Sequence, residues 1–191
     1  HHHLRQRAGV ATRMSQMSKI AGFSLIEVMI SVVVLSVGML GMVALQSRGL
    51  QLTQSYAGRS NAAMLADDLL ERMRSNAGAA LDDYAFTTAS SYYKAAGTDF
   101  PGGSVDDCAT QDRSDGGSAV ATQDILCWRQ EVQKLLPLDD ALLASGVTVC
   151  PGRAPDACDA RSSVGVIQLA WKGKSEECAN NVCYYRLRAE L

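Results

Sequence analysis

The chain has 191 residues, enough for one ordinary globular domain and an extension but not for two full domains. Its 18 lysines and arginines nearly balance 20 aspartates and glutamates, yet residues 1–22 carry Arg5, Arg7, Arg13 and Lys19 and no acid. Beyond them 14 basic residues face 20 acidic ones, so most of the chain has no basic excess to attract nucleic acid, and no nucleic-acid partner is expected.

His1 to His3 open the chain without a methionine and read as the remnant of a purification tag, which sets them aside as a metal site. The segment Phe23–Leu45, FSLIEVMISVVVLSVGMLGMVAL, then holds 23 residues and a single charge, Glu27. A helix of roughly 20 apolar residues spans a bilayer. A cleavable secretory signal has an apolar core of only about 7 to 15 residues, so this run is too long for one; a plain signal anchor fits the length equally well. Because the basic residues all precede the run, residues 1–22 are expected on the cytoplasmic side and residues 46–191 outside.

From residue 46 onward the apolar positions become periodic. Ala62, Leu65, Ala66, Leu69 and Met73 lie on one face of a helix, with Arg59, Asp67, Asp68, Glu71, Arg72 and Arg74 as its polar surface. No proline occurs before residue 101, so one helix is expected from about Phe23 to about Arg74, ending near Ser75, Asn76 and Gly78. At 1.5 Å per residue it would be roughly 80 Å long, more than any small domain needs for its own core. Gly38, Gly41, Gly49 and Gly58 interrupt it at about 1 kcal/mol each. They either permit close helix approach and local unwinding or are simply tolerated in a membrane helix.

Ala77 to about Thr122 is rich in Gly, Ser, Thr and Asp and reads as a long irregular connection. A short helix is predicted over Asp124–Leu136, stopped by Pro137. Strands follow at Val147–Cys150, Val164–Trp171 and Val182–Leu191. In the last, Tyr185, Leu187, Ala189 and Leu191 alternate with Tyr184, Arg186, Arg188 and Glu190, the pattern of a half-buried antiparallel strand. The fold class is α+β: a long N-terminal helix packed on a small antiparallel β-sheet head. The expected divisions are 1–22, 23–45, 46–76 and 77–191.

All six cysteines, Cys108, Cys127, Cys150, Cys158, Cys178 and Cys183, lie beyond the apolar run, which reads as disulfides in an oxidising compartment. Six cysteines allow 15 pairings. Local spacing makes Cys108 with Cys127, Cys150 with Cys158 and Cys178 with Cys183 the simplest set, the last stapling the terminal hairpin. The intervals lack the paired spacing of a zinc site. Asp106, Asp107, Asp112 and Asp115 do not match a calcium-loop pattern and read as a solvated acidic loop. The only histidines are the first three residues, and no phosphate-binding glycine loop is present. No enzyme activity, cofactor or metal is expected.

The functional signal stands where the basic leader meets the apolar run: Lys19-Ile20-Ala21-Gly22-Phe23-Ser24-Leu25-Ile26-Glu27-Val28. A carboxylate in hydrocarbon costs about 2.5 to 3.5 kcal/mol even on the lenient insertion scale, so Glu27 calls for a cationic partner unless it is only an interfacial residue tolerated near the membrane surface. Cleavage between Gly22 and Phe23 would create that partner, an α-amino group four residues before Glu27, and in an assembly the same carboxylate could meet the amino group of a neighbouring subunit.

Gly22-Phe23-Ser24-Leu25-Ile26-Glu27 followed by an apolar run resembles the class III signal of type IV pilins and type II secretion pseudopilins. The resemblance implies a prepilin peptidase cut after Gly22, N-methylation of Phe23, and use of Glu27 in assembly. Residues 27–76 look like PilV-type minor pilins in particular. The resemblance covers residues 19–76 well and the remainder by plan alone, and it implies a type IV pilin-like fold. It further implies an inner-membrane subunit with a periplasmic head, whose partners are prepilin peptidase, other minor and major pilins, the inner-membrane assembly platform and a tip adhesin. Its place would be at or near the pilus tip. A minor pseudopilin of a type II secretion system shares the same N-terminus; a signal-anchored periplasmic binding module is the alternative from another class.

Overall fold

The computed structural model describes residues 22–103, 108–154, 158 and 161–191. It resolves into two compact units, one ending at Leu45 and the other beginning at Gln46. Helix α1 (Leu25–Ser75) is a single run of 51 residues. It is followed by α2 (Ala77–Ala80), α3 (Gly117–Leu135), α4 (Asp140–Gly146), β1 (Thr148–Pro151), β2 (Val164–Lys172) and β3 (Val182–Glu190). The strands form one antiparallel sheet in the order β1-β2-β3, so the α+β expectation holds.

In the second unit, the stripe expected on α1 is the buried one. Ala62, Leu65, Ala66, Leu69 and Met73 are all within 1 % of full burial, in one core with Trp128 and Val132 of α3 and Ile167, Leu169 and Trp171 of β2. The Trp128 indole donates to the Leu65 carbonyl at 2.8 Å, fixing α3 against α1 by a buried polar contact as well as by packing. Both faces of β2 are covered. Ile167, Leu169 and Trp171 join the core shared with α1, while on the opposite face Gln168 donates to the Gly146 carbonyl of α4 at 2.9 Å. Beside α4, Lys94 is buried at 3 % exposure, its ammonium donating to the Leu143 and Ala144 carbonyls and lying 5.0 Å from the Phe100 ring centre. Burial lowers its pKa to about 8, with the Asp99 charge opposing the shift.

Three sequence expectations are corrected. The helix predicted from Asp124 begins at Gly117, because its first turn is capped from elsewhere: the Asn76 side chain accepts from the Gly117 N–H and donates to the Gly117 carbonyl, each at 2.9 Å. The segment after residue 77 contains the short helix α2 and buries Phe86, Tyr92 and Phe100 in or against the core. Arg72, expected on the polar surface, is turned inward with its side chain 15 % exposed. The structure also adds α4, whose N-cap Asp139 accepts from the Leu142 N–H at 2.8 Å. His1 to His3, the leader through Ala21, and Asp106 and Asp107 lie outside the described residues.

Arg72 is drawn inward by Asp124, whose side chain is fully buried. The Asp124 carboxylate accepts from Arg72 at 3.1 Å, from Arg113 at 2.7 and 2.8 Å, and from the Tyr92 hydroxyl at 2.6 Å. Burial alone would push the Asp124 carboxyl up; the hydrogen bonds from Arg113 and Tyr92 and the two guanidinium charges outweigh it and hold the carboxyl below its usual range. Burial, and the hydrogen bond to Asp124, push the Tyr92 phenol up. The cluster ties the last turns of α1 to α3 and to the irregular segment between them.

Of the four α1 glycines, only Gly58 has a local reason. A Cβ there would stand 2.6 Å from Trp171 Nε1 and 3.1 Å from its Cε2, whereas at Gly38, Gly41 or Gly49 it would meet nothing within 4 Å. Gly58→Ala is therefore expected to destabilise the head by about 1–3 kcal/mol through overpacking, and Gly38→Ala to leave head stability unchanged. Urea unfolding of the full chain in detergent, followed by tryptophan fluorescence, checks this, and equal midpoints would refute the close-approach account.

Because its folded pKa is depressed, Asp124 contributes stability above the unfolded carboxylate pKa, near 3.9, that is lost as pH falls through the folded value. Asp124→Asn should cost about 3–5 kcal/mol at neutral pH by leaving the two guanidiniums without their buried counter-charge. The gap between variant and wild type should narrow as the medium is acidified below about pH 4. Unfolding midpoints measured across that range test the sign.

Candidate functional site

The N-terminal junction is built from a short non-helical segment and a capped helix start. Gly22, Phe23 and Ser24 precede α1 and are exposed, Phe23 at 81 %. The Gly22–Phe23 bond thus lies outside the helix and is exposed. Ser24 is the residue that sequence reasoning passed over. Its carbonyl accepts the first helical bond, from the Val28 N–H at 3.2 Å, and its hydroxyl accepts from the Glu27 N–H, also at 3.2 Å. That is the N-cap geometry, worth about 1 kcal/mol, and the Ser-x-x-Glu spacing was the available signal.

Capping also explains why the acid can stand at this position. Glu27 is three residues past the cap, in the first turn, where the unsatisfied N–H groups favour a negative charge. Its side chain makes no ion pair or hydrogen bond among the described residues.

From Leu25 to Leu45 every large apolar side chain is at least half exposed, and the most apolar window of α1, with a mean hydropathy of 2.6, has none of its residues buried. The hydroxyls in this region do not remain open: Ser31 donates to the Glu27 carbonyl at 2.8 Å and Ser36 to the Val32 carbonyl at 2.7 Å. Such back-bonding removes the cost of a free hydroxyl in hydrocarbon. This surface is suited to lipid or to equivalent apolar helices.

In the head, the structure joins Cys108 to Cys127, Cys150 to Cys158 and Cys178 to Cys183. Beside the last bridge a groove of about 810 Å³ runs along α1 and the β2–β3 turn. Its polar lining is mainly amide side chains, including Gln51, Gln54, Asn61, Asn180 and Asn181, which offer hydrogen bonds but no paired acid and base. No group of three or more metal-ligating side chains is present among the described residues.

Residues 17–43 match the family model of the prokaryotic N-terminal methylation motif. The match spans Gly22, Phe23 and Glu27 and marks this N-terminus as that of a prepilin-type substrate, the class that includes pilins and pseudopilins. No curated protein and no solved structure gives a significant match to the chain.

Proposed function

We propose that this chain is a minor pilin of a type IV pilus, a structural subunit that is cut by prepilin peptidase between Gly22 and Phe23, methylated at Phe23, and held in the inner membrane until it enters the filament. The observation that carries the reading is the conjunction at one junction of the methylation motif, an accessible Gly22–Phe23 bond and a helix whose apolar half buries nothing in its own unit. The α+β fold, a long N-terminal helix with a three-stranded antiparallel sheet, is consistent with the type IV pilin-like plan. The similarity of residues 27–76 to PilV-type minor pilins favours the pilus over the secretion system. In this reading residues 1–22 are a cytoplasmic leader, 23–45 the membrane half of the helix, and 46–191 a periplasmic part. The subunit acts with other minor and major pilins, the assembly platform and a tip adhesin to initiate or cap the pilus.

Assembly exchanges lipid around α1 for neighbouring helices, a change nearly neutral in apolar burial. Two smooth apolar helices have no preferred axial offset, and a single ion pair supplies one. Cleavage frees the Phe23 amino group, which can pair with Glu27 of the same chain or of a neighbour, so processing and registry depend on the same bond cut.

Mature protein from native membranes is expected to begin at N-methylated Phe23. N-terminal sequencing and intact mass decide it; a mature chain retaining Ile20 and Ala21 would sink the pilin reading.

Glu27→Ala should insert in the membrane as well as wild type, or better, and be depleted from sheared surface filaments. Recovery in filaments equal to wild type refutes the registry role. Phe23 methylation is measured in the same samples, because only a methylated, membrane-resident variant absent from filaments supports it.

A further inference from the structure

The two edges of the sheet are built differently. At the β1 edge, Val149 and Lys94 exchange N–H···O bonds at 2.9 and 3.0 Å, and Pro151 has no N–H to offer, so that edge is closed. The β3 edge has no such cover among the described residues. Gly173 donates to the Asn181 carbonyl at 3.0 Å and Leu191 to the Ser163 carbonyl at 3.1 Å, and both pairs extend the β2–β3 register by one residue at either end. Antiparallel pairs alternate between bonded and non-bonded, so Cys183, Tyr185, Leu187 and Ala189 bond to β2 while Tyr184, Arg186 and Arg188 turn their N–H and C=O groups outward.

The ends of that outward row are occupied. The Val182 N–H donates to the Ala179 carbonyl, and Arg74 donates to the Glu190 carbonyl at 2.9 Å. Tyr184, Arg186 and Arg188 have no backbone partner among the described residues. β3 has no proline, glycine or lysine and pairs with β2 residue for residue without a bulge, so the protection it carries against a like strand is the charge of its arginines.

We propose that this edge is a docking site for an extended segment of another protein in which apolar and acidic residues alternate, added as a fourth strand. The side chains define that pattern. On the core face Tyr185, Leu187 and Ala189 are only half-buried although they pack against the core, so an apolar side chain on an added strand would complete their cover. On the opposite face Arg186 and Arg188 are exposed and form no salt bridge among the described residues. Their stems are fixed across the sheet: Arg186 donates from Nε to Gln168 of β2 at 2.7 Å and lies 5.2 Å from the Tyr184 ring centre, and Arg188 donates from Nε to the Arg153 carbonyl at 2.6 Å. Among the described residues their terminal guanidinium nitrogens have no partner, which leaves them for a carboxylate on the added strand. A second copy of this chain is a poor occupant, because antiparallel β3–β3 pairing centred on this row sets arginine against arginine. The inference stands on the head alone and is independent of the proposed pilus role.

The test uses the full chain in uncharged maltoside micelles and a blocked peptide alternating valine and glutamate, with a valine–lysine peptide as control. The valine–glutamate peptide should bind at least about tenfold more tightly than the control. It should slow amide exchange at Tyr184, Arg186 and Arg188 while leaving Tyr185 and Leu187, already bonded to β2, unchanged. N-methylating alternate amides of the peptide should abolish binding without altering the protein, and the double variant R186E/R188E should invert the charge preference. The proposal is overturned if the valine–glutamate peptide fails to protect those three amides, if the two peptides bind alike, or if the edge is protected instead by self-association of the chain.

Discussion

Apolar surface left in water costs roughly 25 cal/mol per Å², and between Leu25 and Leu45 nothing among the described residues of the first unit covers the large side chains. Hydrocarbon or equivalent apolar helices would remove that cost, and the helix is long and apolar enough to cross a membrane. The constraint accounts for much of the chemistry around it. Backbone polar groups are satisfied within the helix by its unbroken run, hydroxyls bond backward to the preceding turn, and the one carboxylate lies near the end, among the unpaired N–H groups of the first turn. That carboxylate is Glu27, three residues beyond the Ser24 cap.

The second half of α1 answers to a different environment, and the residue types change accordingly. Small residues appear where the helix must approach closely, Gly58 under the Trp171 indole and Ala62 and Ala66 within the core, while Leu65, Leu69 and Met73 supply volume. Packing alone would fix this part of α1 against the head only loosely in rotation, because an apolar stripe tolerates small turns. The Arg72–Asp124 pair and the Trp128 bond to the Leu65 carbonyl are directional and buried, and they select one rotation.

What could be read from the sequence follows the range of the interaction involved. The α1 stripe, the three strands and the alternation on β3 were legible because each is written in local periodicity. Strand limits shifted by about a residue, the β1 strand lying at Thr148–Pro151 and not Val147–Cys150. The start of α3 was not legible, because its cap comes from Asn76, 41 residues away, and Gly116-Gly117 imitates a loop. Arg72 was misread for the same reason: its partner Asp124 is 52 residues distant. At the junction, Gly22, Phe23 and Glu27 stood out as a motif, whereas Ser24 required attention to helix-cap chemistry inside that motif.

The irregular segment between α2 and α3 sets the remaining problem of the head. It places Phe86 and Tyr92 fully in the core, yet among the described residues its links to the rest of the head's backbone ladder are isolated bridges, Phe86 with Ser162 just before β2 and Lys94 with Val149 of β1. A segment without a ladder must recover its ordering entropy by other means. Here Tyr92 and Arg113 converge on Asp124, and the Cys108–Cys127 bridge, 19 residues apart in sequence, closes the far end of the segment onto α3. In the chain-entropy view a loop of that size contributes roughly 3 kcal/mol, comparable to a large share of a domain's net stability. The core aromatics of this segment are thus held in place by an ion cluster and a covalent bond.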